Sequence, residues 1–225
     1  MLITFSVIKR KFFSALFRIR RFFVSQRFGI SPDLIYGHDF YDGGGFSKTR
    51  ESAEKIAVFF QEIFSPARIL DIGCGPGEYL RAFSNLGIEA VGCDGASNGV
   101  RRVSSAALAF VHDLRKPLVF NKKFDLVMCI EVAEHLPKSS SATLVGSICE
   151  NSNDVIVFTA APPGCPGDDH INCQPIQFWS ELFLSHGFQI DESMTEQLRT
   201  YAAANDLAQW WQGWSYVFKA VPGKR

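Results

Sequence analysis

Net charge is missing from this 225-residue sequence: 23 basic residues balance 23 acidic ones, which argues against a chain built throughout to coat nucleic acid. Acidic residues are missing altogether from residues 1–28, where Lys9, Arg10, Lys11, Arg18, Arg20, Arg21 and Arg27 leave a charge of +7. The remainder carries 16 basic and 23 acidic residues, −7 in sum, so the two parts should meet different partners. In residues 1–28, charges interrupt every apolar stretch well before the ~20 residues that a membrane-spanning helix needs. Nor is there a clean apolar core followed by a small-residue cleavage site, which disfavours a secretory signal; an Arg-rich, acid-free organelle-targeting peptide stays open. The sequence has no internal repeat. No second half with zinc-ligand spacing accompanies Cys165, His170 and Cys173, so no metal is expected.

What is present divides into a tail, residues 1–28, and a domain, residues 29–225. With 47% hydrophobic residues, the chain can bury the core of one α/β domain but is short for two. In the tail Phe5, Ile8, Phe12, Leu16, Ile19 and Phe23 recur at spacings of three and four, the pattern of a basic amphipathic helix. Docking on anionic lipid at the inner membrane surface is its expected use; packing on its own domain or on a second subunit in a homo-oligomer is the alternative. Cys74, Cys93 and Cys129 fall at the ends of apolar runs, where cysteine serves as a small hydrophobe, so reduced thiols and a cytoplasmic setting are expected.

Ser47 can cap a helix that runs to about Phe64, where Ser65-Pro66 stops it. Apolar runs at 68–72, 90–93, 109–112, 125–130 and 155–159 read as strands, separated by helical stretches at 78–86, 97–106 and 140–150 and followed by one at 175–185. Residues 189–191, a helix candidate near 201–211 and a strand candidate at 214–221 complete the chain. This alternation predicts a Rossmann-like, doubly wound, mostly parallel seven-stranded sheet with helices on both faces. Ligands of such sheets lie beyond the carboxyl ends of the strands.

The first strand delivers Asp71 into Gly73-Cys74-Gly75-Pro76-Gly77, where the backbone must turn sharply and approach a ligand without a Cβ in the way. A dinucleotide site would want a third glycine three residues after Gly75; Glu78 stands there and disfavours a nicotinamide-dependent reductase. The run Ile69-Leu-Asp-Ile-Gly-Cys-Gly-Pro-Gly77 resembles motif I of class I S-adenosylmethionine-dependent methyltransferases, and the likeness continues over roughly residues 47–190. That resemblance implies S-adenosylmethionine as cofactor, with Asp71, Gly73, Cys74, Gly75 and Gly77 around its amino-acid end. It implies Asp94 on the ribose hydroxyls, Asp113 and Leu114 on the adenine, and Glu131, in the segment after the fourth strand, also at the cofactor.

A hydroxyl acceptor needs a base, and His135 and His170, each after a strand end, suit proton removal near neutral pH. Glu131 and Glu134 compete for that role. Tyr36, His38, Tyr41 and Asn172 are candidate acceptor contacts, and the proline-punctuated loop 160–175 reads as a lid. His170-Ile-Asn172 followed by Gln174-Pro175 resembles small-molecule and glycan methyltransferases. The leading expectation is O-methylation of a small molecule, sugar or lipid-linked glycan. Nitrogen or carbon acceptors and a non-catalytic cofactor-binding subunit stay open, and a nucleic-acid acceptor is disfavoured by the −7 charge.

Overall fold

The computed structural model describes Asp33, Tyr36 and residues 45–223 apart from 105, 106 and 168. The expected amphipathic helix of residues 1–28, and with it His38 and Tyr41, lies outside the described residues. Among the described residues helix α1 (Gly45–Phe64) precedes the sheet, and Ser65, at φ 44°, turns the chain into β1 (Arg68–Ile72). Then follow α2 (Glu78–Asn85), β2 (Glu89–Asp94), α3 (Ser97–Val100), β3 (Leu108–Val111), β4 (Phe124–Ile130), α4 (Ser141–Asn151) and β5 (Ser152–Thr159). The last third supplies α5 (Ile176–Ser185), β6 (Phe188–Ile190), α6 (Glu192–Ala204), α7 (Gln209–Gly213) and β7 (Ser215–Ala220).

The seven strands lie in the order β3-β2-β1-β4-β5-β7-β6. The first five are parallel, and β7 runs antiparallel to both β5 and β6, so the mostly parallel doubly wound sheet is as expected. Alternate residues of each central strand feed opposite faces. Ile69, Leu126, Met128 and Val217 pack with Ile56, Phe60, Leu80 and Trp211 on one side. Leu70, Val127, Ile156 and Phe158 pack with Ile148, Trp179 and Phe183 on the other. Each such side chain contributes about 1.5–3 kcal/mol on burial, which fixes the register of the strands that carry the site. Asp125 adds a polar pin: its Oδ2 accepts the backbone N–H groups of Ala67 and Arg68, both at 3.0 Å, binding the start of β1 to β4.

Two expectations change. The helical run foreseen at 97–106 is one turn, Ser97–Val100, because Gly99, the β-branched Val100 and Val103, and Ser104 all favour leaving the helix. The single helix foreseen near 201–211 is two: Asp191 caps α6 by accepting from the Met194 N–H at 3.0 Å, and α7 follows after a break at Asn205–Ala208.

Candidate cofactor and acceptor site

The chain leaves β1 through a loop pinned to β2: the N–H groups of Gly73 and Cys74 both donate to the Cys93 carbonyl, at 2.7 and 3.0 Å. Gly73, Gly75 and Gly77 have φ of 89°, 50° and 79°, the left-handed region that a side chain resists. Space forbids one as well. A Cβ on Gly73 would run into the Val132 side chain, and one on Gly77 would sit 2.9 Å from Val103 Cγ2.

Two carboxylates flank this loop. Asp71, at the end of β1, is 1% exposed, and its Oδ2 has no hydrogen-bond partner among the described residues. Burial, helped by the charge of Asp94, pushes its carboxyl up to about 7. Asp94, at the end of β2, accepts from the Gly75 N–H at 2.9 Å and from the Ala96 N–H at 2.7 Å. Burial raises its carboxyl too, and these two bonds oppose the rise. Each carboxylate oxygen has more than one lone-pair direction, so Asp94 is held firmly while keeping acceptor capacity. A buried, partnerless carboxylate oxygen beneath a glycine loop asks for a cationic donor, and a second carboxylate fixed one strand away suits vicinal hydroxyls. The donor set fits an amino-acid-bearing nucleoside.

Beyond β3 the arrangement differs from expectation. Asp113 is gripped by Arg115, whose Nε and Nη2 stand 2.8 and 3.0 Å from its two oxygens, and this holds the carboxyl below its usual range. An adenine amine would be a further donor to an occupied group. Leu114 is 8% exposed and packs with Val91 and Cys93 in the core, so it is a core residue where an open platform for a ring was expected.

After β4 the chain turns at Glu131, a non-glycine residue at φ 56°. Its N–H donates to Thr159 Oγ1 at 2.8 Å and its Oε1 accepts from Trp214 Nε1 at 2.8 Å. Glu134 is fully buried and organises the loop after β5: its Oε1 accepts the Ala161 N–H at 3.1 Å, and its backbone carbonyl accepts from Ile171 and Asn172 at 2.8 and 3.0 Å. Burial, then the neighbouring Glu131 carboxyl, holds Glu134 well above the usual carboxylate range. That high affinity for its proton makes it a poor base at neutral pH.

The same ties bring the two candidate bases together. The rings of His135 and His170 meet edge to face with centroids 4.9 Å apart, and Tyr36 lies edge-on to His135 at 6.0 Å. His135 Nδ1 is 3.3 Å from the Asp169 carbonyl, and His170 Nδ1 is 3.4 Å from that of Cys165. One atom each of Glu134, His135 and His170 fall within 4.8 Å of one another, a donor set that the spacing of Cys165, His170 and Cys173 had not suggested.

The Asn172 side chain is 1% exposed, and its Nδ2 donates to the Ala133 carbonyl at 3.2 Å and to Ser141 Oγ at 3.1 Å. It fastens the loop to the segment after β4 through Nδ2, while its buried Oδ1 has no hydrogen-bond partner among the described residues. The loop is accordingly tied at both ends, and the lid reading is confined to its middle, which carries His170. Asp33 is a residue that sequence reasoning missed: its carboxylate accepts from Asn98 N at 3.0 Å and Ser97 Oγ at 2.9 Å, while the Tyr36 carbonyl accepts from Asn98 Nδ2 at 3.3 Å. These bonds attach the Asp33 and Tyr36 positions to the start of α3.

This sheet order and glycine loop, with carboxylates at successive strand ends, define the fold and site of a class I S-adenosylmethionine-dependent methyltransferase. The chain belongs to the methyltransferase domain family, whose model matches residues 46–220. Among curated proteins, it is 37% identical over 82 residues to a ubiquinone biosynthesis O-methyltransferase of Roseobacter denitrificans, covering 33% of each chain. It is 28% identical over 117 residues to the protein of that name from Methylococcus capsulatus, covering 47% of this chain and 49% of that one. The chain thus spans half or less of the length of these relatives. Among solved structures, magnesium protoporphyrin IX methyltransferase of Synechocystis, crystallised with S-adenosylhomocysteine, aligns over 96% of this chain and 99% of that one at TM-score 0.57 and 15% identity. A sugar N-methyltransferase of Streptoalloteichus aligns over 81% and 91% at TM-score 0.62 and 15% identity. Both similarities are of fold.

Proposed function

We propose that the chain transfers the methyl group of S-adenosylmethionine to an oxygen of a small molecule, a sugar or a lipid-linked glycan. The observation that carries this reading is the pair of strand-end carboxylates, buried Asp71 and half-buried Asp94, beside a left-handed glycine loop, with a histidine pair beyond the next two strands. When bound, S-adenosylmethionine supplies a methyl group on positively charged sulfur, already activated for displacement.

Asp71 would hold the cationic amino-acid end, whose charge would favour its ionised form. Asp94 would accept from the ribose hydroxyls with the lone pairs that its backbone bonds leave. The residues after β4 and β5 then align the acceptor and exclude water. A backbone carbonyl can accept only from a protonated Nδ1, so the bonds to Asp169 and Cys165 leave the basic lone pair of each neutral imidazole on Nε2. His135 or His170 thereby takes up the proton of the acceptor hydroxyl. Oxygen as the target is supported by these bases and by the partial match to O-methyltransferases.

The basic amphipathic tail of residues 1–28 supports a cytoplasmic enzyme held peripherally at an anionic membrane surface, close to a lipid-linked acceptor. The direct test of the chemistry is incubation with methyl-labelled S-adenosylmethionine and a panel of phenols, catechols and glycosides. Label on acceptor oxygen with equimolar S-adenosylhomocysteine is expected; label confined to nitrogen or carbon acceptors would refute the oxygen assignment.

A further inference from the structure

We propose that Trp214 is a positioning residue for the methyl donor, its indole N–H holding the Glu131 carboxylate beside the glycine loop to receive the donor's cationic amino-acid end. This rests on the methyl-donor reading above. Glu131 keeps a left-handed backbone that side-chain-bearing residues rarely adopt, φ 56°, and two long-range bonds hold it there. One is the 2.8 Å bond from its N–H to Thr159 Oγ1, and the other is the 2.8 Å bond from Trp214 Nε1 to its carboxylate. The two anchors are linked through the sheet. Thr159 ends β5 opposite Ser215, the first residue of the antiparallel β7, and Trp214 immediately precedes it.

The bend at Glu131 is packed directly on the cofactor loop, because Val132 fills the space that a Cβ on Gly73 would occupy. Tyr79 on α2, just past the loop, feels the charges of both Asp71 and Glu131, so the two carboxylates bracket one region. Burial disfavours the ionised form of Glu131; the N–H of Trp214 is the first influence that opposes it, followed by Thr159 and the nearby His170. Glu134 also faces it. On balance burial still holds Glu131 above the usual carboxylate range, and the Trp214 N–H limits that rise and fixes the group where a cation beside the loop would favour its ionised form.

Calorimetric titration of the full chain with S-adenosylmethionine and with 5′-methylthioadenosine, which lacks the amino-acid end, tests the proposal. Trp214→Phe removes the N–H and keeps a ring; S-adenosylmethionine is expected to bind about tenfold or more weaker, the effect of losing a hydrogen bond to a charged group, with methylthioadenosine unchanged. Trp214→His, which retains a ring N–H, should recover most of the loss. The double variant with Glu131→Gln should be no worse than Glu131→Gln alone. Equal weakening of both ligands, or losses that add in the double variant, would overturn the positioning role. Should Trp214→Phe not fold, Glu131→Gln carries the comparison: selective loss of S-adenosylmethionine supports the proposal and equal affinity for wild type and variant overturns it. A wild-type chain that binds S-adenosylmethionine, with Trp214→Phe and Glu131→Gln binding it equally well, overturns this inference alone, and a folded wild-type chain that binds no S-adenosylmethionine overturns the methyl-donor reading itself.

Discussion

Asp71 should make the free protein less stable as pH rises, and S-adenosylmethionine should offset that loss. Its folded-state carboxyl is raised from 3.8 to about 7 by burial and by Asp94. A raised acid pKa means that the folded state holds a proton which the unfolded chain has released, so stability falls between about pH 4 and 7 and stays low above that. At 1.36 kcal/mol per pH unit, the displacement sets an upper figure of about 4 kcal/mol. Asp71→Asn keeps the shape and removes the titration. Above pH 7 the free variant should be more stable than the wild type by roughly 1–3 kcal/mol, a rise of several degrees in Tm for a chain of this size. S-adenosylmethionine should reverse the order, because only the wild type offers an anion to the ligand's cation; the variant should bind it about tenfold or more weaker. Thermal denaturation at pH 5 and pH 8, with and without ligand, reads both effects. A free variant less stable than wild type at pH 8, or one equally stabilised by ligand, would refute the reasoning.

Gly73→Ala should weaken S-adenosylmethionine binding at least tenfold by calorimetry, since the added methyl meets Val132 in a left-handed backbone. His135→Ala and His170→Ala should leave donor affinity near wild type and lower turnover about 10²-fold or more with a hydroxyl acceptor, and unchanged turnover in both would remove the base assignment. Asn172→Ala should cost about 1–3 kcal/mol in denaturant unfolding, since it removes the bonds to the Ala133 carbonyl and to Ser141 Oγ that tie the loop down, with little change in S-adenosylmethionine affinity. Deleting residues 1–28 should abolish sedimentation with anionic vesicles, and undiminished pelleting would end the docking proposal.

The parts of this site that were legible in sequence are those confined to short segments. Asp71 lies near the end of β1, Asp94 ends β2 and the glycines follow β1 directly, so strand pattern and turn chemistry together place them at one edge of the sheet. Contacts between distant segments left no such trace. Trp214 lies 83 residues from Glu131, and Asp33 lies 65 from Asn98, and nothing in the local pattern of either names its partner. The buried setting of Asn172 was hidden for a related reason: a polar residue near His170 has the composition of a site, and nothing local shows that its Nδ2 is spent on two buried groups. Asp113 stands where the resemblance put it, and the nearby Arg115 changes what it can offer.

Titration of purified protein with S-adenosylmethionine, beside Asp94→Ala and an NADH control, tests the central claim most directly. Saturable one-to-one binding that is lost in Asp94→Ala and absent with NADH is the predicted result; a folded wild-type protein that takes up no S-adenosylmethionine would contradict the account.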